Sequence, residues 1–385
     1  MRILQITAFY PPSQGGIQYF VQGLSRGLAR RGHDVDVLTI NTEDVEPLET
    51  DSAGIDVRRC ALNASYHRGL ISVEFGLRLL EAKFYDLYHV HIPFALGLEI
   101  AAVASRRNQK PLVATHHGQG IQGDPLYTLV AGSYSLFSRA VSLRCTHCIV
   151  FLTQSYADSL WLPRTVRRRV RIVCTGADIL NFSPDHDGSS VRRYYQMNEE
   201  VSLVLFVGSL RAGNRYKGVD YLIRALPEVK RVVKHVRLMI VGGGSLLVEF
   251  RELARRLELN DTIIFTGPVE NALLPSYYSA ADAFVLPSIH GPENSPVVVF
   301  EAMASGKPVV ASRLPGVCEI VRHEETGLLV PPGDTSALTK ALVRVLTDSD
   351  FQLNAGRKAR ARAERYSWDH CAAEMEKIYQ ELIDR

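Results

Sequence analysis

The stretch GPENSPVVVFEAMASGKPVVAS, residues 291–312, decides how this chain is read. Ser295 can cap a helix from its side chain and Pro296 suits the first helical position, while Gly306 suits the position just past a helix end. The spacing predicts a helix over 296–305, followed by a strand, PVVAS, over 308–312. Such a helix start presents free backbone N–H groups that favour an anion such as a diphosphate. Glu293 lies in the loop ahead of it and Glu301 about a turn and a half in. Both carboxylates are acceptors for hydroxyls, such as those of a sugar and a ribose. A capped helix with one N-terminal Glu and one buried, paired Glu fits the same residues.

Working outward, apolar strands alternate with helical periods through both halves of the chain. In the first half the strands are RILQIT, VDVLTI, LYHVHI (87–92), PLVATH (111–116) and HCIVFLT (147–153). Ile17, Phe20, Val21, Leu24 and Leu28 recur at helical spacing after the first strand, and Gly32 stops that helix. The pattern lapses at the polar NFSPDHDGSS, the best linker candidate. It restarts with LVLFVG (203–208), VRLMIVG (236–242), TIIFTG (262–267), DAFVLPS (282–288) and PVVAS. Strands separated by helices imply parallel sheets covered on both faces. The expectation is an α/β chain of two doubly wound, Rossmann-like domains across a cleft, with ligands at the carboxyl ends of the strands. The domains are expected at 1–182 and 190–366.

Composition bounds the function. At 385 residues, 46% hydrophobic and 22% charged, the chain reads as an ordinary soluble protein long enough for two cores. A net charge of +3 gives no global argument for nucleic acid. Six scattered cysteines read as a reduced, cytoplasmic protein. The start lacks the basic and long apolar regions of a signal peptide, and no uncharged apolar run is long enough for a bilayer. Cys145 and Cys148 form C-x-x-C without a second ligand pair, and Asp34-Val35-Asp36 flanks a strand start rather than an end. Neither is taken as a metal site.

Other segments carry candidate chemistry. Gly15-Gly16 opens the first helix and suits close approach to a phosphate, or simply a tight turn. In FVGSLRAGNRYKGVDYL, Gly208 ends a strand, and Arg211, Arg215 and Lys217 could neutralise a leaving diphosphate. Gly243 lies in the glycine-rich VGGGS, and Val269 begins a turn that can offer its backbone to a base edge. His116 and His117 end a strand, where one of them could touch substrate. Five arginines in RTVRRRVR (164–171) could hold acidic lipid head groups or a phosphorylated acceptor; a solvated basic edge fits equally. No aromatic platform interleaves them, which argues against nucleic acid.

Taken in order, GGIQYFVQGLSRGLARRGHDVDVLT, DLYHVHIPF, LVATHHG, YKGVDYLIRAL, LPSYYSAADAFVLPS, EAMASGKPVVAS and TGLLVPPGD resemble the retaining glycosyltransferases of family 4, with the GT-B fold. Glu293 and Glu301 match that family's E-x7-E. The resemblance implies that the second domain holds a nucleotide-sugar donor and that the final helix, 367–385, crosses back to the first. It implies ribose contact for Glu301 and donor-sugar contact for Glu293. Backbone amides near Asn294 and Ser295 would help orient the donor, with Pro296 and Val297 beside them at the helix start. Lys217 would contact the diphosphate, Gly15 and Gly16 would approach it, and His117 would lie near the transferred sugar. Three positions depart from the family pattern. Ser209 stands where an Arg is common, leaving Arg211 or Arg215 to replace it. GPENSPVVVFE replaces the commoner E-G-F-G start. Cys318 precedes Glu319 in place of a Pro.

The reading implied is hexose transfer to a hydroxyl acceptor with retention, from a UDP-sugar in preference to a GDP-sugar. No cofactor or obligatory metal is implied, and the departing phosphate would take the acceptor's proton. The acceptor expected is lipid-linked or a cell-envelope glycan, with peripheral contact at the inner membrane face. A nucleotide-sugar epimerase and a non-catalytic nucleotide-sugar-binding partner are the alternative readings.

Overall fold

The computed structural model describes all residues except 14, 67–68, 119–124, 141, 291–292 and 385. The chain divides into two compact units, Met1–Gly176 with Trp368–Arg385, and Ala177–Ser367. The stretch around 180–200 contains a short helix, Ser189–Tyr194, and buries Phe182, Val191 and Met197 in the second unit's core.

Among the described residues the first unit carries an eight-stranded sheet. Its spatial order is Val170–Ile172, Cys148–Phe151, Leu112–His116, Leu87–Ile92, Arg2–Ile6, Asp34–Ile40, Asp56–Cys60 and Leu48–Thr50. Every pairing is parallel except the last. The chain builds outward from Arg2–Ile6 on one side, then returns to its other side at Leu87–Ile92. The order of strands therefore reverses between those two. Leu87–Ile92 is buried at every position, as a central parallel strand covered on both faces should be. Leu48–Thr50 is exposed throughout and carries no apolar alternation, so no sequence pattern announces it.

Among the described residues the second unit has a six-stranded sheet in the order Ile263–Gly267, Val236–Val241, Ser202–Val207, Ala283–Leu286, Val309–Ser312 and Gly327–Val330, paired in parallel throughout. Here the reversal falls between Ser202–Val207 and Ala283–Leu286. Helices such as Val219–Val232 cover the sheet, with Leu222, Ile223, Leu226 and Val229 at helical spacing buried against it.

The last helix, Trp368–Ile383, belongs to the first unit and packs along Gly16–Arg30. Glycines make the approach possible. A Cβ on Gly23 would meet the Trp368 indole at 2.2 Å, and one on Gly27 would meet the Ala372 Cβ at 2.8 Å. Cys371, Met375, Ile378 and Tyr379 are buried in the seam. Arg30 pairs with Asp369, and Arg31 and His33 pair with Glu376, at its edge.

Gly23→Ala should therefore lower stability by about 1–3 kcal/mol, the usual range for overpacking a close contact. Urea unfolding followed by tryptophan fluorescence would measure it. An unchanged midpoint would mean that Trp368 does not sit on this groove.

Candidate functional site

In the second unit all six strands are parallel, so their carboxyl ends share one edge. The described loop residues after the two strands flanking the reversal, 208–218 on one side and 287–290 with 293–296 on the other, emerge side by side there, at the position where open α/β sheets take ligands.

Lys217 and Glu293 meet between these loops. Lys217 Nζ donates to Glu293 Oε1 at 2.9 Å, and Ser288 Oγ donates to the same oxygen at 3.0 Å. Both charged side chains are largely buried, at 15% and 5% exposure. Burial alone would lower the Lys217 pKa, but Glu293 and Tyr216 outweigh it and raise it, so the ammonium stays charged. Gly218 makes the geometry possible. It has φ +68°, caps the preceding turn, and a Cβ there would sit 2.1 Å from the Pro287 carbonyl oxygen. Gly316 plays a similar part beneath Asn294, whose carbonyl oxygen would lie 2.2 Å from an added Cβ.

The helix behind the loop runs Val297–Ala304, one residue shorter at each end than expected. Pro296 is its N-cap and not its first turn, and Ser295 does not cap it. The reason is the extended backbone at Pro296 (ψ 112°), which holds the chain out of the helix until Val297. Asn294 Nδ2 and Ser295 Oγ are buried and find no partner among the described residues. They are polar atoms held ready beside Glu293.

Glu301 lies on that helix and takes a hydrogen bond from the Tyr278 hydroxyl at 2.8 Å. Tyr278 is fully buried and also reaches the Val298 carbonyl at 3.3 Å. Burial pushes the Glu301 carboxyl up to about 7, with Asp178 adding to the rise and Tyr278 opposing it.

The remaining residues are placed as follows. Gly208 follows its strand next to Lys217, with an added Cβ 3.3 Å from Lys217 Cδ. Gly243 accepts from the Leu210 N–H, which ties the two glycine-containing loops together. Val269 packs at the edge of the core just past Ile263–Gly267. Arg215 is turned away into a two-pronged salt bridge with Glu249. Arg211 is exposed, and its guanidinium has no partner among the described residues. In the first unit, Gly15 is the extended N-cap of Gly16–Arg30, and Gly16 is open on its Cβ side. His117 follows its strand and bonds to His91, whereas His116 is buried, stacked on Phe151 and bonded to the Gly118 N–H. Asp34 is engaged by Arg2 and Asp36 by the Tyr85 hydroxyl. No cluster of three or more potential metal ligands occurs among the described residues.

Ser288, Tyr278, Gly218 and Gly316 were missed in the sequence. Only Gly218 left a signal there, as the glycine following Lys217 at a helix start.

Comparison with known proteins gives the family and the fold. Residues 14–179 match the family described as Glycosyltransferase Family 4, and residues 202–348 match Glycosyl transferases group 1. A D-inositol 3-phosphate glycosyltransferase of Acidothermus cellulolyticus is 30% identical, over 96% of this chain and 86% of its own length. A GDP-mannose-dependent alpha-(1-6)-phosphatidylinositol monomannoside mannosyltransferase of Mycobacterium tuberculosis is 27% identical over 97% of both. Among solved structures, sucrose-phosphate synthase from Thermosynechococcus elongatus superposes with a TM-score of 0.77 at 25% identity, covering 100% of this chain and 99% of its own. Anabaena HepE, solved with UDP and glucose, shares the fold with a TM-score of 0.77 at 20% identity, over 99% of this chain and 100% of its own.

The Glu301 carboxyl titrates higher in the folded chain than in the unfolded one. Between about pH 4.5 and 7 the native state holds a proton that the unfolded state has released. The group's contribution to stability therefore falls as pH rises through that window. Glu301→Gln should remove this slope and leave the protein about 1–3 kcal/mol more stable than wild type at pH 8. Urea titrations at the two ends of the window check it, and equal slopes in both proteins would show that Glu301 titrates as if in water.

Proposed function

Because this chain belongs to glycosyltransferase family 4, we propose that it moves a hexose from a nucleoside diphosphate sugar to a hydroxyl acceptor with retention at the anomeric carbon. The buried Lys217–Glu293 pair is the observation that carries the reading. A diphosphate arriving at this edge competes with Glu293 for Lys217. As Lys217 turns to the phosphates, Glu293 is released to accept hydroxyls of the donor sugar. Arg211, unengaged among the described residues, is the second cation, and Arg215 is spent on Glu249. Two cations on the leaving diphosphate stabilise the charge that builds there, without an obligatory metal. Glu301, held by Tyr278, accepts from the ribose hydroxyls, and Asn294 and Ser295 orient the sugar. His117 accepts from a hydroxyl of the transferred sugar, the role that the family resemblance implies. The departing phosphate takes the acceptor's proton.

UDP-sugars are the favoured donors, with GDP-mannose the rival that the mannosyltransferase relative brings. The names of the relatives, inositol phosphate and phosphatidylinositol enzymes, support a phosphorylated polyol or lipid-linked acceptor. Calorimetry against UDP-glucose, UDP-N-acetylglucosamine, UDP-galactose and GDP-mannose tests the donor site. One donor should bind, and Glu301→Ala should weaken it roughly tenfold or more, as expected for losing hydrogen bonds to a charged group. Selective binding of GDP-mannose would reassign the base. Binding of none by folded protein, or equal binding by the variant, would overturn the site.

A surface of the first unit supports work at the inner membrane face. On the helix Pro125–Ala140, Leu129, Val130, Leu136 and Phe137 are all more than half exposed along one face. Trp161 is 64% exposed, and Arg164 and Arg168 nearby in sequence are exposed without partners among the described residues. Arg167, Arg169 and Arg171 have protein partners. No helix of the described residues is long and apolar enough to cross a membrane. An exposed apolar stripe and unpaired exposed cations on the same unit fit the surface of an anionic bilayer. Sedimentation with phosphatidylglycerol vesicles should show binding that weakens with salt and in the Arg164→Ala/Arg168→Ala double variant. Equal binding to neutral vesicles would rule this surface out as an electrostatic contact.

A further inference from the structure

The first unit holds a row of buried polar side chains that the proposed chemistry leaves unused. Gln5 lies on the central strand Arg2–Ile6, and His89 and His91 lie on the neighbouring Leu87–Ile92. These two strands flank the reversal of strand order. Thr115 is on the next strand, and His117 follows its end. Gln5, His89 and Thr115 are fully buried and His91 nearly so. Two hydrogen-bonded chains run through the row. Tyr379 Oη meets His89 Nδ1 at 2.6 Å, and His89 Nε2 meets Thr115 Oγ1 at 2.7 Å. His91 Nε2 meets Gln5 Oε1 at 2.8 Å, and His91 Nδ1 meets His117 Nε2 at 3.0 Å. Phe20 packs edge-on against both the His91 and His117 rings.

Counting donors fixes the protons. Gln5 Oε1 can only accept, so His91 carries its proton on Nε2. A neutral imidazole has one N–H, so His91 Nδ1 is an acceptor and His117 must donate from Nε2. His117 Nδ1 is then left with a lone pair, and it has no partner among the described residues. Burial first, and the neighbouring imidazoles second, hold both rings well below the usual histidine range, so both are neutral. Gln5 Nε2, the other end of the amide, is buried and completes no hydrogen bond among the described residues.

We propose that Gln5 and His91 are positioning residues that hold His117 in one tautomer, with its proton on Nε2, so that Nδ1 can only accept. His117 then selects a sugar hydroxyl, which has a hydrogen to give, over a phosphate oxygen, which has none. This rests on the reading of His117 as a sugar contact. The positioning effect itself is a property of the ligand-free protein and can be tested apart from that reading.

Two-bond 1H–15N spectra of the full chain labelled at histidine nitrogen distinguish the tautomers, with His117 assigned by its loss in His117→Asn. Wild type should show His117 protonated on Nε2 alone. Gln5→Met, which keeps the volume and loses the acceptor, should show a second population protonated on Nδ1. A wild-type proton on Nδ1 would overturn the proposal whether or not the variant folds. So would a Gln5→Met spectrum unchanged at His117. An Nε2 proton in a protein that binds none of the donors would leave the tautomer standing and count against the transferase reading alone.

Discussion

A cation and an anion, 76 residues apart in sequence, are buried together where the second sheet reverses its strand order. That pair constrains everything around it. Neither charge tolerates burial alone, and removing one partner of such a pair typically costs about 3–5 kcal/mol. The loops bearing Lys217 and Glu293 must therefore stay in register. They do so by backbone contact, since Gly218 against Pro287 and Gly316 against Asn294 leave no room for even a methyl group. The sheet fixes the strand ends, the glycines fix the loops, and the loops fix the charges.

The same logic explains the difference between the two carboxylates. Glu293 has a full partner in Lys217 and a second donor in Ser288. Among the described residues Glu301 has only a neutral phenol, and its burial is compensated less completely. Two glutamates eight residues apart thus sit in opposite electrostatic settings. One is committed to a cation, and the other is poised to change charge near neutrality.

Much of this was legible in the sequence, and the limits have physical causes. The run LYHVHI is apolar enough to be read as a buried parallel strand, and its bounds, Leu87–Ile92, are met residue for residue. Glu293 and Glu301 were legible because their chemistry lies in one short segment. Ser288 and Tyr278 were not, because a hydroxyl in an apolar stretch shows nothing of the carboxylate it will meet. Arg211 and Arg215 are equivalent as letters, and only the fold brings Glu249 to one of them. The histidine row joins Gln5 to His91 across 86 residues, and only strand register, which sets Gln5 opposite His89, brings His91 within reach. The cap at Ser295 failed for a local reason, the extended backbone of Pro296, which composition does not reveal.

A carboxyl that ionises near pH 7 gives the second unit a thermodynamic signature of its own. If ribose hydroxyls demand the charged form of Glu301, each donor captured near neutrality expels a fraction of a proton to the solvent. The heat of association would then vary with the ionisation enthalpy of the buffer, and substrate capture would be linked to the acidity of the surrounding medium. The Tyr278 hydroxyl sets the size of that link, since it is the contact that holds the carboxyl's pKa from rising further.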